Sequence, residues 1–198
     1  MQKERKWDLG MRVIKHKRNN PYKLNKFDLV EIDIRKYLGR IYVSHSEGDI
    51  CIATLDDYLN IAKKKKVGLV AIDMKSKGLE QYAITMLEKY NIPGFVFDLN
   101  NYQIDLKYNH TNRVPLMLNE ENPFLESFEP KKWIWLHTNN KDLDFLISQY
   151  EEIRKKWEEK SICFSGVNKL KKKELKDFMS LDDENAYLCT DNWREFIN

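Results

Sequence analysis

Eight short runs of strand-forming residues punctuate this chain, beginning near Met11, Leu29, Leu69, Ile92, Val114, Trp133, Ser161 and Ala186. Between most of them lie stretches whose apolar residues recur at helical spacing. Leu55, Leu59 and Ala62 share one face of a predicted helix, and Leu79, Ala83, Met86, Leu87 and Tyr90 share another. The longest helix is predicted over 141–158, where Leu143, Leu146, Ile147, Tyr150, Ile153 and Trp157 recur. Strands that alternate with helices favour a parallel sheet, because a parallel neighbour needs a crossover and the helix supplies it. The run Val67 to Met74 is almost wholly apolar, as expected of a strand covered on both faces. Eight repeats of the alternation point to an α/β fold, a compact (β/α)8 TIM barrel. At 198 residues the chain sits at the lower size limit of that fold, about 200 residues. Its first and fifth helices are therefore expected to be shortened. Short helical segments are also predicted over 101–108 and 169–179, with at most a turn at 124–128. No Gly/Ser/Pro-rich linker interrupts the pattern, so residues 1–198 read as a single domain.

The strand Leu29–Arg35 carries more charge than a buried strand tolerates without cause. Alternate side chains share a face. Glu31, Asp33 and Arg35 therefore project together, while Val30, Ile32 and Ile34 point the opposite way. Two carboxylates about 7 Å apart by strand rise can share a hard divalent cation such as Mg²⁺ or Ca²⁺, and an arginine beside them suits a phosphate. The plainer alternative is a half-exposed strand with a solvated polar face. A second extended run, Ile41 to Val43, follows a turn at Gly39 and ends at His45. His16, Glu31, Asp33, Asp73, Lys75, Asp98, His137 and Asp191 all fall at or near the C-terminal ends of predicted strands. In a TIM barrel that face carries the active site.

The order His16, Glu31-Ile-Asp33, His45, Asp73-Met-Lys75 resembles the glycerophosphodiester phosphodiesterase family, whose motifs run His-Arg-Gly, Glu-x-Asp, His-Asp and Glu-x-Lys. More narrowly, the chain is similar to a short, divergent branch of that family found among polysaccharide-synthesis genes. The similarity lies in Glu31-Ile-Asp-Ile-Arg35, Lys75-Ser-Lys-Gly78, Trp133-Ile-Trp135 and Cys189-Thr190 with Trp193. The resemblance implies a PLC-like phosphodiesterase barrel with a divalent metal on Glu31, Asp33 and Asp73, and with His16 and His45 as general acid and base. Lys17, Arg35, Lys75 and His137 are the candidate substrate contacts. The chain departs from the family pattern at four points: Lys17 replaces the Arg of His-Arg-Gly, the Gly is absent, Ser46 follows the second histidine, and Asp73 replaces a Glu.

The reading expected from the sequence is a metal-dependent phosphoric diester hydrolase acting on a small, soluble glycerophosphodiester or sugar-phosphate diester. Two histidines suit such chemistry, since one proton must leave the nucleophile and another must reach the alkoxide near neutral pH. The alternative is a non-catalytic barrel that binds a phosphorylated ligand or partner protein. A net charge of +3 argues against a nucleic-acid partner. No apolar run is long enough to span a membrane. The N-terminal stretch lacks the apolar core of a secretory signal. Cys51, Cys163 and Cys189 have neither metal-knuckle spacing nor an even count, so they are expected to be buried thiols in a reducing cytoplasm.

Overall fold

The computed structural model describes residues 10–98, 107–108, 110–123, 132–167, 170, 173–175 and 181–196. The strands are β1 (Arg12–Lys15), β2 (Leu29–Tyr37), β3 (Arg40–Val43), β4 (Leu69–Met74), β5 (Gly94–Phe97), β6 (Leu116–Leu118), β7 (Trp133–His137), β8 (Ser161–Ser165) and β9 (Ala186–Thr190). The helices are α1 (Leu55–Lys64), α2 (Glu80–Tyr90) and α3 (Leu143–Lys156). Eight strands form one sheet in the order β5-β4-β2-β1-β9-β8-β7-β6, every neighbouring pair parallel, and β3 pairs antiparallel to β2. This is the TIM-barrel arrangement expected from the alternation, with the Ile41–Val43 run folded back as a hairpin. The segments predicted at 101–108, 124–128 and 169–179 lie largely outside the described residues.

Three apolar clusters show how the sheet curls. Val30, Ile32, Ile34, Val70 and Ile72 pack outward against Leu55, Tyr58, Leu59, Ala83 and Leu87 of α1 and α2. On the other half, Ile134, Leu136, Ile162, Phe164 and Leu188 pack outward with Leu146 and Ile153 of α3. The opposite faces of the same strands meet inside: Ile14, Ala71, Phe95, Phe97, Met117, Trp135, Cys163 and Cys189 form one cluster. The ladder path ends at β5 and β6, yet the ring of Phe97 on β5 stacks on Trp135 of β7 with centroids 4.1 Å apart. Val96 N–H also donates to the Arg113 carbonyl just before β6, at 2.7 Å. Burial on both faces explains why these strands read as apolar runs.

The first connection carries no α-helix. A single 3-10 turn, Pro21–Lys23, stands in its place, begun by Asn20, whose side chain accepts from the Tyr22 N–H. The α1 helix starts at Thr54, whose hydroxyl accepts from Asp57 N–H, and ends in the lysine run, where Lys65 Nζ donates to the carbonyls of Tyr22 and Leu24. That lysine run therefore anchors the helix-less first connection. Lys15 faces outward from β1, where a helix would otherwise lie; its Nζ is 2.5 Å from Asp28 Oδ1, both side chains are buried, and the Trp193 ring covers the pair with its centroid 4.5 Å from Nζ. Among the described residues, no helix is long and apolar enough to cross a membrane.

Candidate metal and phosphoryl site

The inward face of β2 carries Leu29, Glu31 and Asp33 in strand alternation, and the register pairs Asp33 with Asp73 of β4. Two adjacent strands thus deliver three carboxylates to one place. One oxygen from each of Glu31, Asp33 and Asp73 can be chosen so that all three lie within 4.8 Å of one another. All three residues are buried, with exposures of 1%, 0% and 3%. The half-exposed, solvated strand is therefore excluded. Burying three carboxylates together is costly unless something compensates them.

The compensation visible in the protein is incomplete. Lys75 Nζ makes a short ion pair with Asp73 Oδ2 and lies 3.3 Å from Asp33 Oδ1. Asn19 donates its side-chain N–H to Asp33 Oδ2 at 2.9 Å and accepts from the Asp33 backbone N–H at 2.9 Å. Glu31 Oε2 accepts from the backbone N–H of Lys17 at 2.7 Å, in a turn where Lys17 takes φ 51°. Asp33 Oδ1, which has only the longer ion pair to Lys75, and Asp73 Oδ1 are buried and accept no hydrogen bond. Burial, then the neighbouring Asp33 and Asp73, hold the Glu31 carboxyl well above its ordinary pKa. Burial likewise lifts Asp73 to about 6 in spite of Lys75. For Lys75 burial works downward, but the Asp73 and Asp33 carboxylates outweigh it and raise the pKa, so this amine stays charged.

The two histidines approach different carboxylates. His16, one residue past β1, has Nε2 3.7 Å from Glu31 Oε2 and Nδ1 2.8 Å from Asp191 Oδ1. Burial lowers its pKa, while the Asp191 hydrogen bond and charge pull it back up. His45 follows the β3 hairpin strand and has Nδ1 3.7 Å from Asp33 Oδ1, with its side chain partly exposed. Its neighbour Ser44 is tied down, since the Ser44 N–H donates to the Asp33 carbonyl at 2.9 Å.

The remaining candidates fall in different places. Lys75 is in the carboxylate cluster itself. Arg35 lies just beyond Asp33 on the same face, but its Nε donates to the His45 carbonyl at 2.7 Å and its Nη1 to the Lys75 carbonyl at 3.3 Å. It braces the backbone at both flanks of the cluster. Lys17 reaches Glu31 through its backbone, and its side chain is exposed. His137 ends β7 on the other half of the sheet, with Nδ1 2.9 Å from Ser165 Oγ; burial lowers its pKa against the pull of Glu120. Its contacts are not those of the carboxylate cluster. Cys163 and Cys189 are buried as expected, but Cys51 is exposed, because it lies in the loop after β3 rather than in a strand.

Asn19 was not among the residues the sequence singles out, since a polar loop hides it; nor was Asp191 given a role there beyond its place at a strand end. The donor set fits a hard divalent cation: among the described residues the cluster is three carboxylates without a nitrogen or sulfur ligand, and two of its buried oxygens accept no hydrogen bond.

No family model matches the chain. A protein of Oceanobacillus iheyensis with the provisional name metal-dependent hydrolase is 30% identical in an alignment of 81 residues; the match covers 31% of this chain and 47% of that protein, about half the length of that relative. Among solved structures, a glycerophosphodiester phosphodiesterase from Parabacteroides distasonis superposes with a TM-score of 0.66 at 14% identity, covering 95% of each chain. At that identity the likeness establishes a shared fold: this chain has the barrel of that phosphodiesterase.

Proposed function

We propose that the protein is a metal-dependent phosphodiesterase that cleaves a small diester of the glycerophosphodiester or sugar-phosphate type. The observation that carries this reading is the buried triad Glu31, Asp33 and Asp73, flanked by a histidine 3.7 Å from Glu31 and another 3.7 Å from Asp33. The barrel shared with a solved phosphodiesterase and the partial likeness to a metal-dependent hydrolase support it.

Glu31, Asp33 and Asp73 would hold a divalent ion, Mg²⁺ or Ca²⁺ by their all-oxygen chemistry. When bound, such an ion neutralises phosphoryl charge and lowers the pKa of an attacking hydroxyl. The chain's own residues supply the rest. Lys75, kept cationic by Asp73 and Asp33, places a positive charge beside the cluster, where a phosphoryl oxygen gains negative charge as the ester bond breaks. His16 has one nitrogen fixed by Asp191 and the other directed toward Glu31; burial keeps it readily neutral, the state that accepts a proton at Nε2. His45, partly exposed at the rim, then returns a proton to the departing alkoxide. Arg35 holds the carbonyls of His45 and Lys75, so the acid and the cation keep a fixed separation. This division of labour meets the need for one proton removed and one supplied near neutral pH.

A panel of glycerophosphodiesters, sugar-phosphate diesters and a chromogenic diester, assayed with Mg²⁺, Mn²⁺ and Ca²⁺, tests the reading. Metal-dependent turnover that falls about 10²–10⁴-fold in His16→Ala is the expected result. No turnover of any diester, with His16→Ala equal to wild type, would leave a barrel that binds a phosphorylated ligand without cleaving it.

A further inference from the structure

Next to the carboxylate cluster, between the β2–β3 hairpin and the loop that follows it, is a half-open cleft of about 730 Å³. That size is within the usual range for small-molecule sites. Its inner wall is Arg35, Ser44 and Ser76. The Arg35 guanidinium in this wall donates to the carbonyls of His45 and Lys75, so the cleft adjoins the backbone that carries the candidate acid and the phosphoryl cation. The β2–β3 register sets Arg35 opposite Tyr42, and Tyr37, two residues on from Arg35, shares that hairpin face. The outer wall is the loop residues Ser46, Glu47 and Asp49.

The lining of the cleft is polar and aromatic, and it includes the thiol of Cys51. Five hydroxyl side chains line it, from Tyr37, Tyr42, Ser44, Ser46 and Ser76, and no aliphatic side chain does. The two cations, Arg35 and Lys36, are matched by two carboxylates, Glu47 and Asp49. Arg35 Nη1 lies 3.7 Å from Glu47 Oε1, so even the innermost cation has a counter-charge. Balanced charge disfavours a second phosphate, and a wall whose apolar surface belongs to tyrosine rings and to the carbons of polar side chains, each beside a hydroxyl or a charge, disfavours an acyl chain. What remains is a neutral group rich in hydroxyls. The tyrosines add ring faces, amphipathic surfaces with an apolar body and a polar tip, suited to the C–H side of a sugar ring. Glu47 and Asp49 supply acceptors for its hydroxyls.

We propose that this cleft is the subsite for the alcohol half of the diester and that it takes a neutral sugar ring, with Tyr42 and Asp49 as specificity-determining residues. The proposal rests on the phosphodiesterase reading for its orientation, since the phosphate must sit by Lys75 while the sugar fills the hairpin cleft. A fully open loop would select nothing. Here the loop is pinned, because Ser46 N–H donates to Asp49 Oδ2 at 2.7 Å and Ser44 Oγ donates to the Ser46 carbonyl at 2.8 Å.

The test compares two diesters of glycerol phosphate, one with a hexose and the other with methanol as the departing alcohol, each followed by the release of glycerol phosphate. Wild type should favour the hexosyl diester in kcat/KM. Tyr42→Ala and Asp49→Asn should each lower kcat/KM on the hexosyl diester about 10-fold more than on the methyl diester, the size of a lost stacking or hydrogen-bond contact. Tyr42→Phe, which keeps the ring, separates stacking from the hydroxyl. Equal losses on both diesters, or no hexosyl preference in wild type, would overturn the proposal while leaving the phosphodiesterase intact. Saturation-transfer NMR with hexose 1-phosphate reads the cleft independently of turnover. If no diester is cleaved, the phosphodiesterase reading fails; binding that is present in wild type and lost in Tyr42→Ala and Asp49→Asn then sustains the sugar site. Absence of binding in wild type, or equal binding in both variants, overturns it.

Discussion

Nδ1 of His16 and Oδ1 of Asp191 lie 2.8 Å apart although 175 residues separate them in the chain. The parallel pairing of β1 with β9, with Lys15 opposite Thr190, brings them together. A histidine whose one nitrogen is held by a carboxylate presents its other nitrogen in a fixed direction and tautomer, here toward Glu31. Asp191 is therefore a positioning residue for His16.

Asp191→Ala is expected to lower turnover by less than the about 10²–10⁴-fold loss of a missing general base. It should also shift the pH profile. Asp191 raises the His16 pKa against burial, so its removal lets the pKa fall further, and the acid limb of the rate profile should move to lower pH. An unmoved limb, or one shifted upward, would remove Asp191 from this role.

Divalent metal should raise the thermal midpoint of wild type and leave Asp73→Ala unchanged, because only the folded site binds the ion. In metal-free protein the sign of the pH effect is unusual for acids. Folding raises the pKa of Asp73 to about 6, from the ordinary 3.8, so the folded state holds a proton that the unfolded chain gives up between those values. Its contribution is present below about pH 4 and is lost as pH rises through about 6; Glu31, raised in the same direction, adds to it. Metal-free wild type should accordingly lose stability relative to Asp73→Asn across that window. Melting curves from pH 4 to 7 decide the matter, and a wild type that gains on Asp73→Asn as pH rises would contradict it.

Lys75→Met removes the cation that sits between Asp73 and Asp33. Breaking a buried ion pair costs about 3–5 kcal/mol, and the partial exposure of Lys75, 14% at the side chain, places this variant toward the lower end. Adding a divalent ion should restore much of the loss, since the ion neutralises the same carboxylates. Chemical denaturation with and without metal measures both effects; a loss that metal leaves untouched would show that Lys75 acts by packing alone.

Asp28→Ala strands Lys15 in a buried place beneath Trp193. A loss of about 3–5 kcal/mol is expected, larger than for Trp193→Ala, which uncovers the pair but leaves it joined. Because this ion pair lies on the outer face of β1, the fraction of Asp28→Ala that stays folded should retain wild-type kcat. A specific fall in kcat at full folding would link the pair to the site.

The barrel was legible because strands buried on two faces and helices buried on one leave different periods in the chain. The carboxylate triad was legible for a related reason: Glu31 and Asp33 break an apolar strand at alternate positions, and Asp73 does so at the matching point of β4. The loops carry no such period. Asn19 meets Asp33 only because the chain turns at Lys17 with a left-handed φ, a tertiary event without a sequence signature. Arg35 looked like a phosphate ligand from its charge and face. Which of its donors are already committed to the carbonyls of His45 and Lys75 depends on where those loops end.

The sheet order carries a consequence for synthesis. Strands β1, β2, β4 and β5 form one contiguous half and β6 to β9 the other, and the halves join where β1 meets β9. During translation the edge of β1 that will receive β9 stays unpaired until Ala186–Thr190 has emerged. Unpaired parallel edges are templates for wrong partners, so the nascent first half is exposed to misassembly for most of the time the second half takes to be made.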